Sequence, residues 1–437
     1  MNHNNVSRRG FLGGTLLGAS LPGVSGRGGV ETLESLSQVP LRPDIRERVE
    51  AGRKTILDEL KPTRAQLERG LELHYNSYVV DLMGALYTSA AVGHRGRRLE
   101  TELSRFRRTQ REKGLSRRAV SKQVRERWRR LKTFESAFDA EWQANFWALY
   151  RVTGLDLAVE DNAHHYTWSR LLRHLASCNL VYGQLEDVVR IAKVGDLTRA
   201  RRDKKLAILS NVQGVTHAWV QGQSVEHLEL LYGLGVRMAH LTHGERNALG
   251  SDCYQLPHRD SGLTMEGREV VRRMNELGVM VDIAHAARRT ALDAIEISTE
   301  AVLNSHTGCE AIYDDRDHRN VDDEYLQVLS ANGGLVGIYV WPGRLSSERT
   351  HPSFSDWARH LEHAIQVAGI DHVGIGTDVS YLPHYPPHPM DWTNYAFWTV
   401  GLVCRGFSDQ EIRKVLGKNF LFYAAKVLDK SPRGEFL

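Results

Sequence analysis

The chain has 437 residues, 41% of them hydrophobic and 25% charged, and a formal net charge of +4. That length and apolar content support a sizeable core and exclude a disordered or fibrous chain. No apolar run reaches the ~20 residues that a membrane-spanning helix needs, so a soluble protein is expected.

At the N-terminus, Ser7-Arg8-Arg9-Gly10-Phe11-Leu12-Gly13 precedes a mildly apolar, Gly-rich stretch running to Pro22. Paired arginines followed by Phe-Leu and an uncharged stretch read as a twin-arginine export signal, which implies a periplasmic or extracellular protein. Residues 1–29 are therefore set apart from the fold, and 30–437 are expected to form one domain. Cys178, Cys253, Cys309 and Cys404 lie far apart with no C-x-x-C pair, which excludes a zinc knuckle and a dithiol redox motif. They read as core residues, and the sequence does not pair them.

From about Gly70 onward, short runs rich in Val, Ile and Leu alternate with amphipathic helical patterns, the signature of parallel strands joined by crossover helices. Eight strands are predicted, near Tyr78–Met83, Phe146–Val152, Leu206–Val212, Val236–Leu241, Val279–Ala284, Ala301–Ser305, Leu335–Val340 and His372–Thr377. Eight is the strand number of the (β/α)8 TIM barrel, an α/β fold whose active site lies at the C-terminal mouth. Five of these strands end in a polar side chain: Gln213, His243, His285, His306 and Asp378. One such histidine alone is more often hydrogen-bonded filler than a ligand, but five strand ends would share one mouth.

Residues 95–132 interrupt the first βα unit with sixteen Lys or Arg against four Glu. The segment reads as a basic helical insertion, either a solvated face or a contact for an anionic envelope polymer. Its aromatics are few, Phe106 and Trp128, so base stacking is not suggested and nucleic acid is not an expected partner. Small peptides or amides, and a second copy of the chain, complete the partners considered.

Asp196-Leu197-Thr198-Arg199-Ala200 before Leu206-Ala207-Ile208-Leu209 opens an ordered series of motifs, and Leu234-Gly235-Val236-Arg237 running to Leu241-Thr242-His243 continues it. Gly262-Leu263-Thr264, Gly267-Arg268-Glu269-Val270-Val271, Met274-Asn275-Glu276-Leu277-Gly278 and Val281-Asp282-Ile283-Ala284-His285 follow. Ser305-His306, Arg319-Asn320-Val321, Asn332-Gly333-Gly334 and Asp371-His372-Val373-Gly374-Ile375-Gly376-Thr377-Asp378 complete it. Over the last 240 residues or so, the chain resembles the membrane (renal) dipeptidase family of metallopeptidases, within the wider amidohydrolase group. The resemblance implies a barrel that hydrolyses dipeptides with two zinc ions. These are held by a His-x-Asp on strand one, a bridging Glu on strand three, two later histidines and a final Asp. Carried onto this sequence, His285 and His306 are metal ligands, while Asp378 is both ligand and general base. His243 supports the oxyanion, and Arg319 grips a substrate or intermediate oxygen through its planar fork.

The pattern also breaks. Asp81-Leu82-Met83-Gly84-Ala85 places Met83 at the strand-one His and Ala85 at its Asp, and Val212-Gln213-Gly214 places Gln213 at the bridging Glu. Met and Ala are not usual zinc ligands, and a neutral amide is a weak one. One zinc ion rather than two is expected, or none. His258-Arg259-Asp260 is the only other His-x-Asp, a substitute pair if its loop covers the mouth, and His164-His165 after Asp161 is a further polar cluster. Two readings follow: a metal-dependent hydrolase of a dipeptide or small amide, and a non-catalytic barrel that binds a small ligand or partner in the old cleft.

Overall fold

The computed structural model describes residues 43–84, 94–114, 138–161, 167–213, 219–347, 352–378 and 392–429, together with 116, 120 and 390. The export segment, Ala85, His164-His165 and most of the second half of the basic insertion lie outside these residues.

Two helices, α1 (Pro43–Leu60) and α2 (Arg64–Tyr75), precede the first strand, β1 (Val80–Asp81). Helix α3 (His94–Glu112) lies in the basic segment, and α4 (Ala140–Thr153) leads to β2 (Leu157–Asp161). Then come α5 (Trp168–Gly183), β3 (Val188–Arg190), α6 (Val194–Arg202), β4 (Leu206–Val212), α7 (Ser224–Gly233) and β5 (Val236–His240). The second half runs α8 (Met265–Leu277), β6 (Met280–Asp282), α9 (Arg288–Ile297), β7 (Leu303–Thr307), α10 (Asp323–Ala331), β8 (Leu335–Ile338), α11 (Phe354–Ala368) and β9 (Val373–Ile375). Helices α12 (Tyr395–Cys404), α13 (Asp409–Arg413) and α14 (Asn419–Val427) close the chain.

All strand pairs are parallel, in the order β1-β2-β4-β5-β6-β7-β8-β9, with β3 added beside β4. The last strand returns to the first through Leu82 N donating to Ile375 O (2.9 Å) and Asp378 N to Met83 O (2.6 Å). The result is an eight-strand, nearly closed barrel wrapped by helices, as expected.

One strand is misplaced in the sequence reading. Phe146–Val152 is not the second strand but the C-terminal half of α4, capped at its start by Asp139, whose side chain accepts from Trp142 N, and ended by left-handed Gly154. The strand is Leu157–Asp161, which pairs with β4 from Leu157–Ala207 to Asp161–Asn211.

Strand alternation divides the core. Ile208, Ala239, Val281, Val336 and Ile375 pack towards the helices, with Val270, Leu326 and Trp357. Leu157, Leu209, Met238, Met280, Leu303 and Leu335 form a second cluster that Phe420 and Tyr423 of α14 complete. On β4, β5 and β6 the same parity continues towards the mouth with polar residues: Asn211 and Gln213 follow Leu209, His240 follows Met238, and Asp282 follows Met280. All four of these polar groups lie on an apolar floor, which fixes the depth of the site. The four cysteines are free thiols, and no described helix is long and apolar enough to cross a membrane.

Candidate active site

Three side chains converge at the mouth. Gln213 Nε2 lies 3.2 Å from His285 Nε2 and 3.4 Å from His306 Nε2, and the two imidazole nitrogens are 3.1 Å apart. Each leaves a different strand, β4, β6 or β7, so barrel closure brings together residues 213, 285 and 306. Ser305 Oγ lies 2.8 Å from His306 Nδ1 and orients that ring. His285 sits at φ +65, and its carbonyl accepts from Cys253 N (2.8 Å) and Thr242 Oγ1 (3.1 Å). Burial, reinforced by the Arg319 guanidinium, pushes the His285 pKa well below the usual histidine value. The ring is therefore neutral and keeps a lone pair for an electrophile.

Asp378 follows β9 at φ +54, with Oδ2 3.9 Å from His306 Nε2. Two non-glycine residues in the left-handed region, each at a strand end and each facing the same mouth, mark backbone strain held at the site. His243 packs against His285 with ring centroids 4.3 Å apart and the rings tilted by 56°. Arg319 returns from the loop after β7, where Val321 N donates to Gly308 O (3.0 Å). Its Nη2 donates to His306 O at 2.5 Å, and its guanidinium lies 5.4 Å from the Tyr339 ring centre. Arg319 is buried, and no carboxylate among the described residues lies within 4.0 Å of it as an ion-pair partner.

Beneath these residues lies a polar layer that the sequence reading did not pick out. His240 Nε2 is 3.1 Å from Asp282 Oδ2, both fully buried, and the His240 ring is 5.6 Å from that of His306. Asp282 also accepts from Ala284 N (3.0 Å) and Ser305 N (3.1 Å), which ties β6 to β7 directly under His285 and His306. The signal was the inward parity of polar residues after Met238 and Met280. Asp81 plays a similar part at the barrel seam, accepting from Thr377 N (2.9 Å) and Thr377 Oγ1 (2.7 Å), and burial pushes its pKa up to about 6.

The fit to a metal is uneven. Met83, at the strand-one ligand position, is buried and its Sδ receives Asn211 Nδ2 at 3.5 Å, so a thioether fills the space. Ala85 carries no donor group. The residues present do not supply the ligand set for two zinc ions. Gln213, His285 and His306 do match one: their 3.1–3.4 Å separations approach the ~3.3 Å edge of a tetrahedron drawn about zinc at ~2.0–2.1 Å. Gln213 Oε1 is buried without a hydrogen-bond partner among the described residues, and turning the amide would present that oxygen to the ion. His258-Arg259-Asp260 supplies no substitute pair. His258 is exposed, and Asp260 accepts from Arg289 N (2.7 Å) at the start of α9.

A barrel with imidazoles, a carboxylate and a buried arginine at the C-terminal mouth is the architecture of the metal-dependent amidohydrolases and dipeptidases. Residues 138–430 match the membrane dipeptidase family (peptidase family M19), and the chain belongs to that family. It is 26% identical over 288 residues to dipeptidase tcpJ of Claviceps purpurea, covering 65% of this chain and 67% of that protein. An uncharacterized dipeptidase of Schizosaccharomyces pombe is 33% identical over 229 residues, 51% of this chain and about half (53%) of the relative's length. The fold is shared with the probable dipeptidase PvdM of Pseudomonas aeruginosa, with TM-score 0.62 and 17% identity over 84% of this chain and 100% of that one. A Rhodobacter sphaeroides metallopeptidase liganded with a phosphinate mimic of L-Ala-D-Ala gives TM-score 0.57 and 17% identity over 64% and 89%.

Proposed function

We propose that the chain is an exported hydrolase of a dipeptide or another small amide that works with a single zinc ion. The observation that carries this reading is the convergence of Gln213, His285 and His306 within 3.4 Å, beside a buried Arg319. Those three residues would hold the ion, with Asp378 next to them. When bound, zinc polarises an amide carbonyl and lowers the pKa of a coordinated water towards neutrality.

The chain's own groups divide the remaining work. Asp378, half-buried and close to His306, accepts the proton of the attacking water. His243, packed against the His285 ring, donates to the oxyanion that develops at the former carbonyl. Arg319 has a planar fork and no carboxylate in ion-pair reach among the described residues, so it supplies charge-assisted hydrogen bonds to a substrate carboxylate or intermediate oxygen. The test is turnover of a dipeptide panel by zinc-equilibrated protein, expected to fall at least a hundredfold in His306→Ala. Turnover by that variant at the parent rate would dismiss the reading.

A second reading rests on Met83: a buried thioether in place of a ligand suits a non-catalytic barrel that binds a small ligand. Saturable dipeptide binding without product formation would select it. For export, Arg8→Lys with Arg9→Lys should leave the protein in the cytoplasm, and unchanged secretion would refute the twin-arginine reading. The basic segment 95–132 is proposed to meet an anionic envelope polymer, with binding that weakens steeply as salt rises and disappears on its deletion. A second copy of the chain is a further partner to test, and sedimentation at the monomer mass would exclude a homodimer.

A further inference from the structure

The loop between β5 and α8 folds back across the end of β6. Its Asp252 bridges antiparallel to Ala286, and Cys253 N donates to His285 O at 2.8 Å. This places Asp252, Cys253 and His285, all buried, so that one ligand atom from each lies within 4.8 Å of the others. The cluster is held firmly: Gly244 N and Tyr254 N each donate to a different oxygen of Asp252, at 2.7 and 3.0 Å. The Cys253 thiol also donates to the Asp252 carboxylate, a bond that metal binding at the sulfur would replace.

His285 supplies the independent observation. Its Nε2 is already turned to Gln213 and His306. Its Nδ1 is buried with no hydrogen-bond partner among the described residues. A buried imidazole nitrogen without a partner costs free energy unless something occupies it, and the cluster around this ring offers a carboxylate and a thiol. We propose that Asp252, Cys253 and His285 Nδ1 form a separate seat for a zinc-class divalent ion, on the opposite side of the His285 ring from Gln213 and His306.

The chemistry selects the ion. A sulfur ligand beside nitrogen and oxygen suits zinc or cobalt and disfavours magnesium and calcium, which take oxygen. Ligand atoms about zinc stand roughly 3.3–3.7 Å apart when sulfur is at ~2.3 Å and nitrogen or oxygen at ~2.0–2.2 Å. Closing the cluster therefore needs side-chain shifts of about 1 Å at most. Binding replaces the Cys253 Sγ–H bond by a metal–sulfur bond, and the proton passes to solvent. A neutral imidazole has one lone pair in its ring plane, so His285 serves this seat or the Gln213–His306 position, and the two compete for one ion.

The test uses the full chain loaded with cobalt(II) or zinc. The cobalt complex should show a near-ultraviolet thiolate-to-cobalt charge-transfer band that is absent in Cys253→Ser, retained in His306→Ala, and at least tenfold weaker in affinity in Asp252→Asn. Zinc-edge X-ray absorption on the unmodified protein should find one sulfur at ~2.3 Å, a measurement that needs no variant to fold. A shell of nitrogen and oxygen only, a band that survives Cys253→Ser, or no bound metal would overturn the proposal. Failure of the hydrolase reading is seen separately, as absence of dipeptide turnover whatever the sulfur content.

Discussion

Acidification should destabilise the fold through His360, a buried residue of α11. Its Nδ1 accepts from Cys309 N at 2.8 Å, which leaves the proton on Nε2, 3.0 Å from Leu345 O. Protonating Nδ1 would set two N–H groups against each other, and burial, the largest cause, pushes the His360 pKa down to about 4. Against an unfolded value near 6.5, that shift corresponds to about 3 kcal/mol. Between those pH values the unfolded chain binds more protons than the native one. The stabilisation is therefore complete above pH ~6.5 and is lost as pH falls towards ~4. Urea unfolding of the parent and His360→Gln, measured from pH 7 to pH 4, isolates this group from the others that titrate. The parent should lose about 3 kcal/mol more than the variant. Parallel curves would refute the reasoning. Because Cys309 anchors the loop that carries Arg319, affinity for a carboxylate ligand should fall over the same pH window.

Three further outcomes follow from particular contacts. A Cβ on Gly376 would lie 1.8 Å from Ser305 O, so Gly376→Ala should cost about 3 kcal/mol, read as a lowered thermal midpoint, and an unchanged midpoint would contradict the strand packing. Gln213→Glu restores an anionic ligand between His285 and His306 and should raise zinc affinity about 10- to 100-fold by calorimetry. No gain would remove Gln213 from the ligand set. Arg319→Met keeps the apolar stem but removes the fork, and should weaken binding of a dipeptide carboxylate by about 1.5–3 kcal/mol while leaving a neutral amide analogue unaffected.

Most of the barrel was legible because seven of its strands carry β-branched runs where the period-two and crossover patterns coincide. The second strand was not. Phe146-Trp147-Ala148-Leu149-Tyr150 is apolar enough for a buried strand, and only the caps at Asp139 and Gly154 reveal the helix. The true strand carries Glu160, whose carboxylate accepts from Tyr182 Oη at 2.5 Å, a pairing invisible in sequence. The mouth residues were readable as strand endings, and the resemblance gave them roles. The layer of Asn211, His240 and Asp282 was missed because inward parity was followed only through apolar positions. Asp252 and Cys253 could not be placed beside His285 at all, since their approach depends on a loop folding across β6.

The charges at the mouth bear on how many ions it suits. In the two-ion arrangement that the family resemblance implies, two zinc ions face three carboxylates, which leaves one net positive charge. Here the strand-one Asp has become Ala85 and the bridging Glu has become Gln213. One zinc ion against Asp378, the remaining carboxylate of that ligand set, leaves the same single positive charge, whereas two ions would leave three beside the buried Arg319. Like charges within a few ångströms at low dielectric repel by several kcal/mol, so the substitutions disfavour a second ion in the old position. They leave the field seen by an anionic substrate close to that of a two-ion relative. This balance supports a one-ion hydrolase over a two-ion one.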